Sequence, residues 1–126
     1  LELIEAVENK KLNDPGGYKH SEQYSLLDNV YRLIYRDIPE NPNRREYLLR
    51  GDLKRFRRAK PKERYRLFFC FSSTNSSIFY LWLNDSNTLR KAGASTDPYA
   101  IFRKICLPLK QKDIELNSKA ISPPSP

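Results

Sequence analysis

The sequence predicts a single α+β domain: two N-terminal helices, a twisted antiparallel sheet of three to four strands, then a short C-terminal helix. Three observations predict it. At 126 residues there is room for one domain. Helix-period segments lie toward the two ends, and strand-like segments lie together in the middle. Those strands follow one another too closely for helical crossovers, so they must pair antiparallel, with the helices on one face of the sheet.

Each element has a local cause. Residues 1–12 are rich in Glu, Leu, Ala and Lys, which favour helix. Asn13-Asp14-Pro15-Gly16-Gly17 breaks it. A second helix is predicted from about Ser21, its N-cap, to Asp37. Tyr24, Leu27, Tyr31, Ile34 and Ile38 recur there at three- and four-residue steps, predicting an apolar stripe. Residues Pro39 to Asn43 end it and open an irregular basic stretch to about Leu53. A short strand over Phe56–Ala59 is closed by a turn at Pro61. The clearest strand runs from Arg64 to Phe71, with Tyr65, Leu67, Phe69 and Phe71 facing one way and Arg66, Phe68 and Cys70 the other. After a polar loop at residues 72–77, Ile78 to Leu83 is apolar on both faces, which predicts a central, doubly covered strand. Thr96 or Asp97 caps the last helix, with Pro98 in its first turn and Tyr99, Phe102 and Ile105 or Cys106 inward. The apolar period is lost from Pro108. Residues 1–107 therefore read as the domain, and 108–126, ending Ser-Pro-Pro-Ser-Pro, as a flexible tail.

Composition narrows the function. Hydrophobic content of 39%, with 12% aromatics, supports one core. A mean hydropathy of −0.73 describes a soluble chain, and no apolar run approaches the ~20 residues of a membrane span. The N-terminus lacks the pattern of a secretory signal. There is no methionine, so a segment before Leu1 is expected. Cys70 and Cys106 read as small buried hydrophobes in a reducing compartment, which places the chain in the cytoplasm.

The net charge is +8. Residues 44–66 hold eleven bases against three acids, and the other residues cancel, so the surplus sits in one segment. Such concentration predicts a polyanionic partner. No phosphate-cradling glycine motif, GxSxG or carboxylate cluster is present, and His20, the only histidine, reads as solvated or capping. Asp85 and Asp97 read as strand-end and cap residues rather than metal ligands, and no metal or cofactor is expected. Arginine, lysine and tyrosine remain, and these suffice for phosphodiester cleavage.

Three linked blocks carry a resemblance. Arg64-Tyr65-Arg66-Leu67-Phe68-Phe69, then Trp82-Leu83-Asn84-Asp85 with Asn87-Thr88-Leu89-Arg90, then Thr96-Asp97-Pro98-Tyr99-Ala100-Ile101-Phe102 resemble the C-terminal half of YhaV-type toxins, in that order and at nearly that spacing. The resemblance covers roughly Asn41 to Cys106. It implies a RelE-like fold and a toxin of a type II toxin–antitoxin system. It also implies cleavage of mRNA, free or ribosome-bound, by 2′-hydroxyl attack that leaves a 2′,3′-cyclic phosphate without metal. The implied partner is a cognate antitoxin of the AbrB-like, swapped-hairpin kind.

Arg66 is the leading catalytic candidate, matching the arginine of the family's GYRL-type strand; an arginine among aromatics needs an anionic partner, a structural ion pair with Glu63 or Asp52 being the alternative. Arg90 matches the second family arginine, and Tyr99 the aromatic that stacks on a base or assists proton transfer. Lys54 is the candidate proton carrier. Arg50, Arg55, Arg57, Arg58 and Arg64 are assigned to RNA contact, with Arg64 and Tyr65 as alternates to Arg66 if the strand register is reversed. The family has a longer N-terminal region and a histidine-containing FRHGK-like segment where this chain reads Tyr47-Leu48-Leu49-Arg50-Gly51-Asp52. An inactive RNA-binding module of the same fold is therefore the second reading, and a basic DNA-binding or ribosome-associated protein the third.

Overall fold

In the computed structural model, which describes residues 2–118, helix α1 (Glu2–Asn13) is followed by a 3-10 turn at Tyr18–His20 and by α2 (Glu22–Arg32). The Ser21 hydroxyl accepts the Tyr24 N–H at 3.1 Å and caps α2. A π-helical turn, Leu33–Asp37, leads into the single turn α3, Ile38–Glu40. The buried stripe of this run is Leu26, Val30 and Ile38, with Ile34 beside them, and differs from the predicted one: Tyr31 is exposed. Four-residue steps drift by about 40° each around an α-helix. The wider π turn takes up that drift and returns Ile38, fully buried, to the sheet.

The basic stretch folds as two 3-10 turns, Arg45–Tyr47 and Gly51–Leu53, the second starting at Gly51 with φ of 65°. The sheet follows as β1 (Arg57–Ala59), β2 (Leu67–Ser72) and β3 (Ser77–Leu83), antiparallel in the order β1-β2-β3. The central strand is thus β2, not the Ile78–Leu83 strand. Leu67 to Cys70 are all buried, whereas Phe79 alone is buried in β3. The register is Arg58 opposite Phe68 and Phe68 opposite Trp82, with a bulge between Phe68 and Phe69.

Helices cover both faces of the sheet rather than one. On one face Phe68, Cys70 and Phe79 pack with Leu53, Phe56, Phe102, Cys106 and Ile114. On the other, Leu67, Phe69 and Ala59 pack with Ile38 and Tyr47. Helix α4 (Pro98–Cys106) presents Phe102 and Cys106 inward and leaves Ile105 exposed. The Phe102 ring stacks on Phe68 at 4.1 Å between centroids and meets Phe56 edge-on at 4.9 Å. Cys70 and Cys106 lie reduced in this cluster, and burial pushes the Cys70 thiol up to about 11.

The stretch read as a flexible tail contains helix α5, Gln111–Ser118, whose Ile114 is buried in the main core. One buried side chain anchors it, too little to make a visible period. The Ser-Pro-Pro-Ser-Pro end lies outside the described residues. No helix among the described residues is long and apolar enough to cross a membrane.

A candidate active site around Tyr99

Asn84 organises the ends of β2 and β3. It is buried, its Oδ1 accepts the Arg66 N–H at 2.6 Å, and its Nδ2 donates to the carbonyls of Arg64 at 3.2 Å and Thr88 at 2.7 Å. Asp85 closes the next turn, accepting from the Asn87 N–H and the Thr88 hydroxyl, both at 2.9 Å. The chain then returns beside Arg64: the Arg90 N–H donates to the Arg64 carbonyl at 2.9 Å, and Arg64 Nε donates to the Arg90 carbonyl at 3.0 Å. Arg90 is therefore held at its backbone before its side chain is considered.

Its side chain meets Asp97. Arg90 Nη1 lies 2.6 Å from Asp97 Oδ1, which also accepts the Lys91 N–H, while Oδ2 accepts the Tyr99 N–H at 3.0 Å and caps α4. Burial alone would raise the Asp97 carboxyl, but the Arg90 guanidinium and the two backbone N–H donors hold it below the usual carboxylate range. The anchored guanidinium lies over the Tyr99 ring at 4.8 Å and is one-third exposed. From the far side Arg58 Nη1 donates to the Tyr99 hydroxyl at 3.2 Å and Nη2 to the Glu46 carbonyl at 2.5 Å. Tyr99 itself leans edge-on against Phe68 at 5.4 Å.

Two guanidiniums thus flank one phenol at the rim of a cleft of about 430 Å³ lined by Arg90, Asp97, Tyr99, Gly93 and Arg103. Arg103 pairs with Asp52 at 3.2 Å, tying the Gly51–Leu53 turn to α4. Such an arrangement can grip a phosphate with planar N–H forks and offer it a positioned hydroxyl.

The other sequence candidates fall elsewhere. Arg66 is 8% exposed and bonds its own turn: Nη1 donates to the carbonyls of Glu63 at 2.5 Å and Tyr65 at 2.8 Å. Glu63 holds a φ of 23°, rare for a residue with a side chain. Its carbonyl, not its carboxylate, meets Arg66, and neither Glu63 nor Asp52 forms an ion pair with it. Arg66 and Arg90 share no side-chain partner. Arg55 donates to the carbonyls of Cys106, Leu107 and Leu109 and closes the C-terminus of α4. Arg57 donates to the Pro42 carbonyl at 2.6 Å and Asn43 Oδ1 at 2.5 Å, and burial pushes its guanidinium down. Arg50 and Lys54 are exposed on either side of the Gly51–Leu53 turn, outside the Tyr99 cluster. His20 is exposed in its 3-10 turn. Sequence reasoning gave Asp97 only a capping role, although an acid before the Pro98-Tyr99 helix start was the available signal. Nothing in the sequence marked Arg58 as the base that would reach Tyr99, 41 residues away.

Comparison with known proteins gives the family. The family model Toxin_YhaV, a toxin with endonuclease activity of a toxin–antitoxin system, matches residues 1–108. The chain is 37% identical over 109 residues to the ribonuclease toxin YhaV of Escherichia coli (strain K12), covering 82% of this chain and 71% of that one. The same figures hold for toxin YhaV of Escherichia coli O157:H7. No solved structure gives a significant match.

Proposed function

Because this chain belongs to the YhaV family of toxin–antitoxin endonucleases, we propose that it is a cytoplasmic, RelE-like endoribonuclease whose reaction centre is the Arg58–Tyr99–Arg90 cluster. The observation that carries this reading is the meeting of two guanidiniums on one phenol, one of them oriented by a buried carboxylate. The substrate is mRNA. The 2′-oxygen attacks the adjacent phosphorus, the 5′-oxygen leaves, and a 2′,3′-cyclic phosphate remains. The nucleophile is part of the substrate, so the enzyme needs to align it, neutralise the phosphorane and move two protons.

Arg90 and Arg58 suit the neutralising role, since planar forks bond phosphate oxygens in pairs. Arg58 donates to the Tyr99 oxygen, which directs the phenolic proton away from Arg58 and toward the cleft, where it can pass to the departing 5′-oxygen. No histidine stands in the Tyr47–Asp52 stretch, and Lys54, an exposed ammonium with no acceptor, adds charge at the rim, so the 2′-hydroxyl proton passes to water. Arg50 and Arg64 contribute charge at the rim. Arg66 closes its own turn through the carbonyls of Glu63 and Tyr65 and takes no part in the reaction. The partner is an antitoxin of the AbrB-like, swapped-hairpin kind that masks the basic face.

The test is purified protein with mRNA in excess chelator, with the new 3′ ends mapped. Cyclic-phosphate ends are expected, and Tyr99→Phe should slow their appearance by about 10²–10⁴-fold while leaving RNA binding intact. RNA that is bound but never cut would leave only an RNA-binding module of this fold, and a preference for duplex DNA in a gel shift would overturn both.

A further inference from the structure

Arg58 also faces a second cavity, of about 370 Å³, on the side away from Tyr99, lined with Arg44, Lys60, Tyr47, Glu46 and Asp37. Arg44 and Arg58 each keep a buried Nε with no acceptor among the described residues. Both Arg58 Nη groups are engaged by Glu46 and Tyr99. The acid paired with Arg44, Glu40, lies 3.8 Å away, well beyond the ~2.7–2.9 Å of a tight charge-assisted bond. Lys60 is exposed. Of the two acids in the cavity wall, Asp37 is already paired with Arg36 at 2.8 Å, and Glu46 is exposed. Arg44, Arg58 and Lys60 stand against Asp37 and Glu46 in the wall, and with Asp37 already paired the cavity is left positive, which suits an anion.

We propose that this cavity is a second phosphate subsite for the same RNA strand, next to the scissile position and sharing Arg58 with it. The proposal rests on the ribonuclease reading above, and it adds Arg44 and Lys60 as residues that set the register of the strand. A phosphodiester fits better than an isolated carboxylate, because Arg58 lines this cavity and bonds the Tyr99 hydroxyl at the rim of the other cleft, and a nucleic acid supplies consecutive anions at fixed separation. The second grip adds affinity that the strand keeps from the bound state through the reaction, without touching the reacting atoms.

The test uses a short single-stranded RNA with 2′-O-methyl groups, which cannot be cut, and follows its binding by fluorescence anisotropy across a KCl series. Arg44→Ala and Lys60→Ala should each flatten the slope of log affinity against log salt by about 0.7, the value of one single-strand phosphate contact. On ordinary RNA both should raise KM and leave kcat unchanged, the pattern of uniform binding. Lys60 is exposed, so its variant keeps the fold and reads the cavity even if Arg44→Ala does not fold. A slope that neither variant moves overturns the subsite. So does a fall in kcat at constant KM, or an unmoved slope with weakened binding of purified antitoxin, which would make the occupant an acidic protein segment. Failure of the unaltered protein to cut ordinary RNA would strike the ribonuclease reading alone, since the binding arm needs no cleavage.

Discussion

Arg66, just before β2, and Arg90, in the loop after β3, both lie beside Arg64, yet their surroundings differ. Arg66 is closed in by carbonyls of its own turn and is nearly buried, whereas Arg90 meets a carboxylate on one side and an aromatic ring beneath, and remains one-third exposed. Carbonyls of its own turn hold Arg66 by Nη1 and leave the guanidinium facing inward. A buried carboxylate with a ring holds Arg90 by one edge and leaves the rest available. In this chain an arginine's partners say more about its task than its place in a motif does.

The sharpest way to break this contrast is to remove each guanidinium in turn. Arg90→Ala should lower RNA cleavage by about 10²–10³-fold, the usual effect of losing one preorganised donor to a developing anion, and should also lower stability, because Asp97 keeps a buried charge without its partner. Arg66→Ala should touch stability alone. It should cost about 2–3 kcal/mol in urea unfolding, since a charged donor to two carbonyls is lost in a buried place, with activity per folded molecule largely kept. Loss of activity in a stably folded Arg66→Ala protein would return Arg66 to the chemistry.

Acid should probe the Arg90 anchor with a smaller effect. The folded Asp97 carboxyl is held below its ordinary value, so its ionised form stabilises the fold at pH above the unfolded value of about 4, and that contribution is lost as pH falls through the folded value. The advantage of the natural protein over Asp97→Asn, which keeps a capping side chain, should be full at pH 7 and shrink below pH ~4. An advantage equal at pH 7 and pH 3 would sink the anchor. The smallest effect belongs to Arg55, exposed at the C-terminus of α4. Arg55→Ala should lower stability by about 0.5–1 kcal/mol without changing the salt dependence of RNA binding, and a flatter salt slope would show that Arg55 also touches RNA.

What was legible in the sequence was local. Ser21 and Asp97 announce helix starts because a cap is a contact across two or three residues, and the α+β class follows from where each period lies. The strand order was not legible. Ile78 to Leu83 and Leu67 to Phe71 are both unbroken apolar runs, and only long-range pairing decides which is central. The same limit hid the site. Which of Arg55, Arg57 and Arg58 reaches Tyr99 depends on the β1–β2 register and on how α4 lies on Phe68, and neither leaves a mark in the spacing of the bases. Arg44, outside every motif, acquires its place only when the 3-10 turn at Arg45–Tyr47 brings it beside β1.

Tyr99 rests on Phe68, which Phe102 stacks against from the same helix. The candidate site and the hydrophobic interior are therefore one piece of material. The strands leave the ribosome before Tyr99 and Phe102 do; on the proposed reading, the docking that seats Phe102 on Phe68 also brings Tyr99 to Arg58, so cleavage cannot begin before that part of the interior has formed.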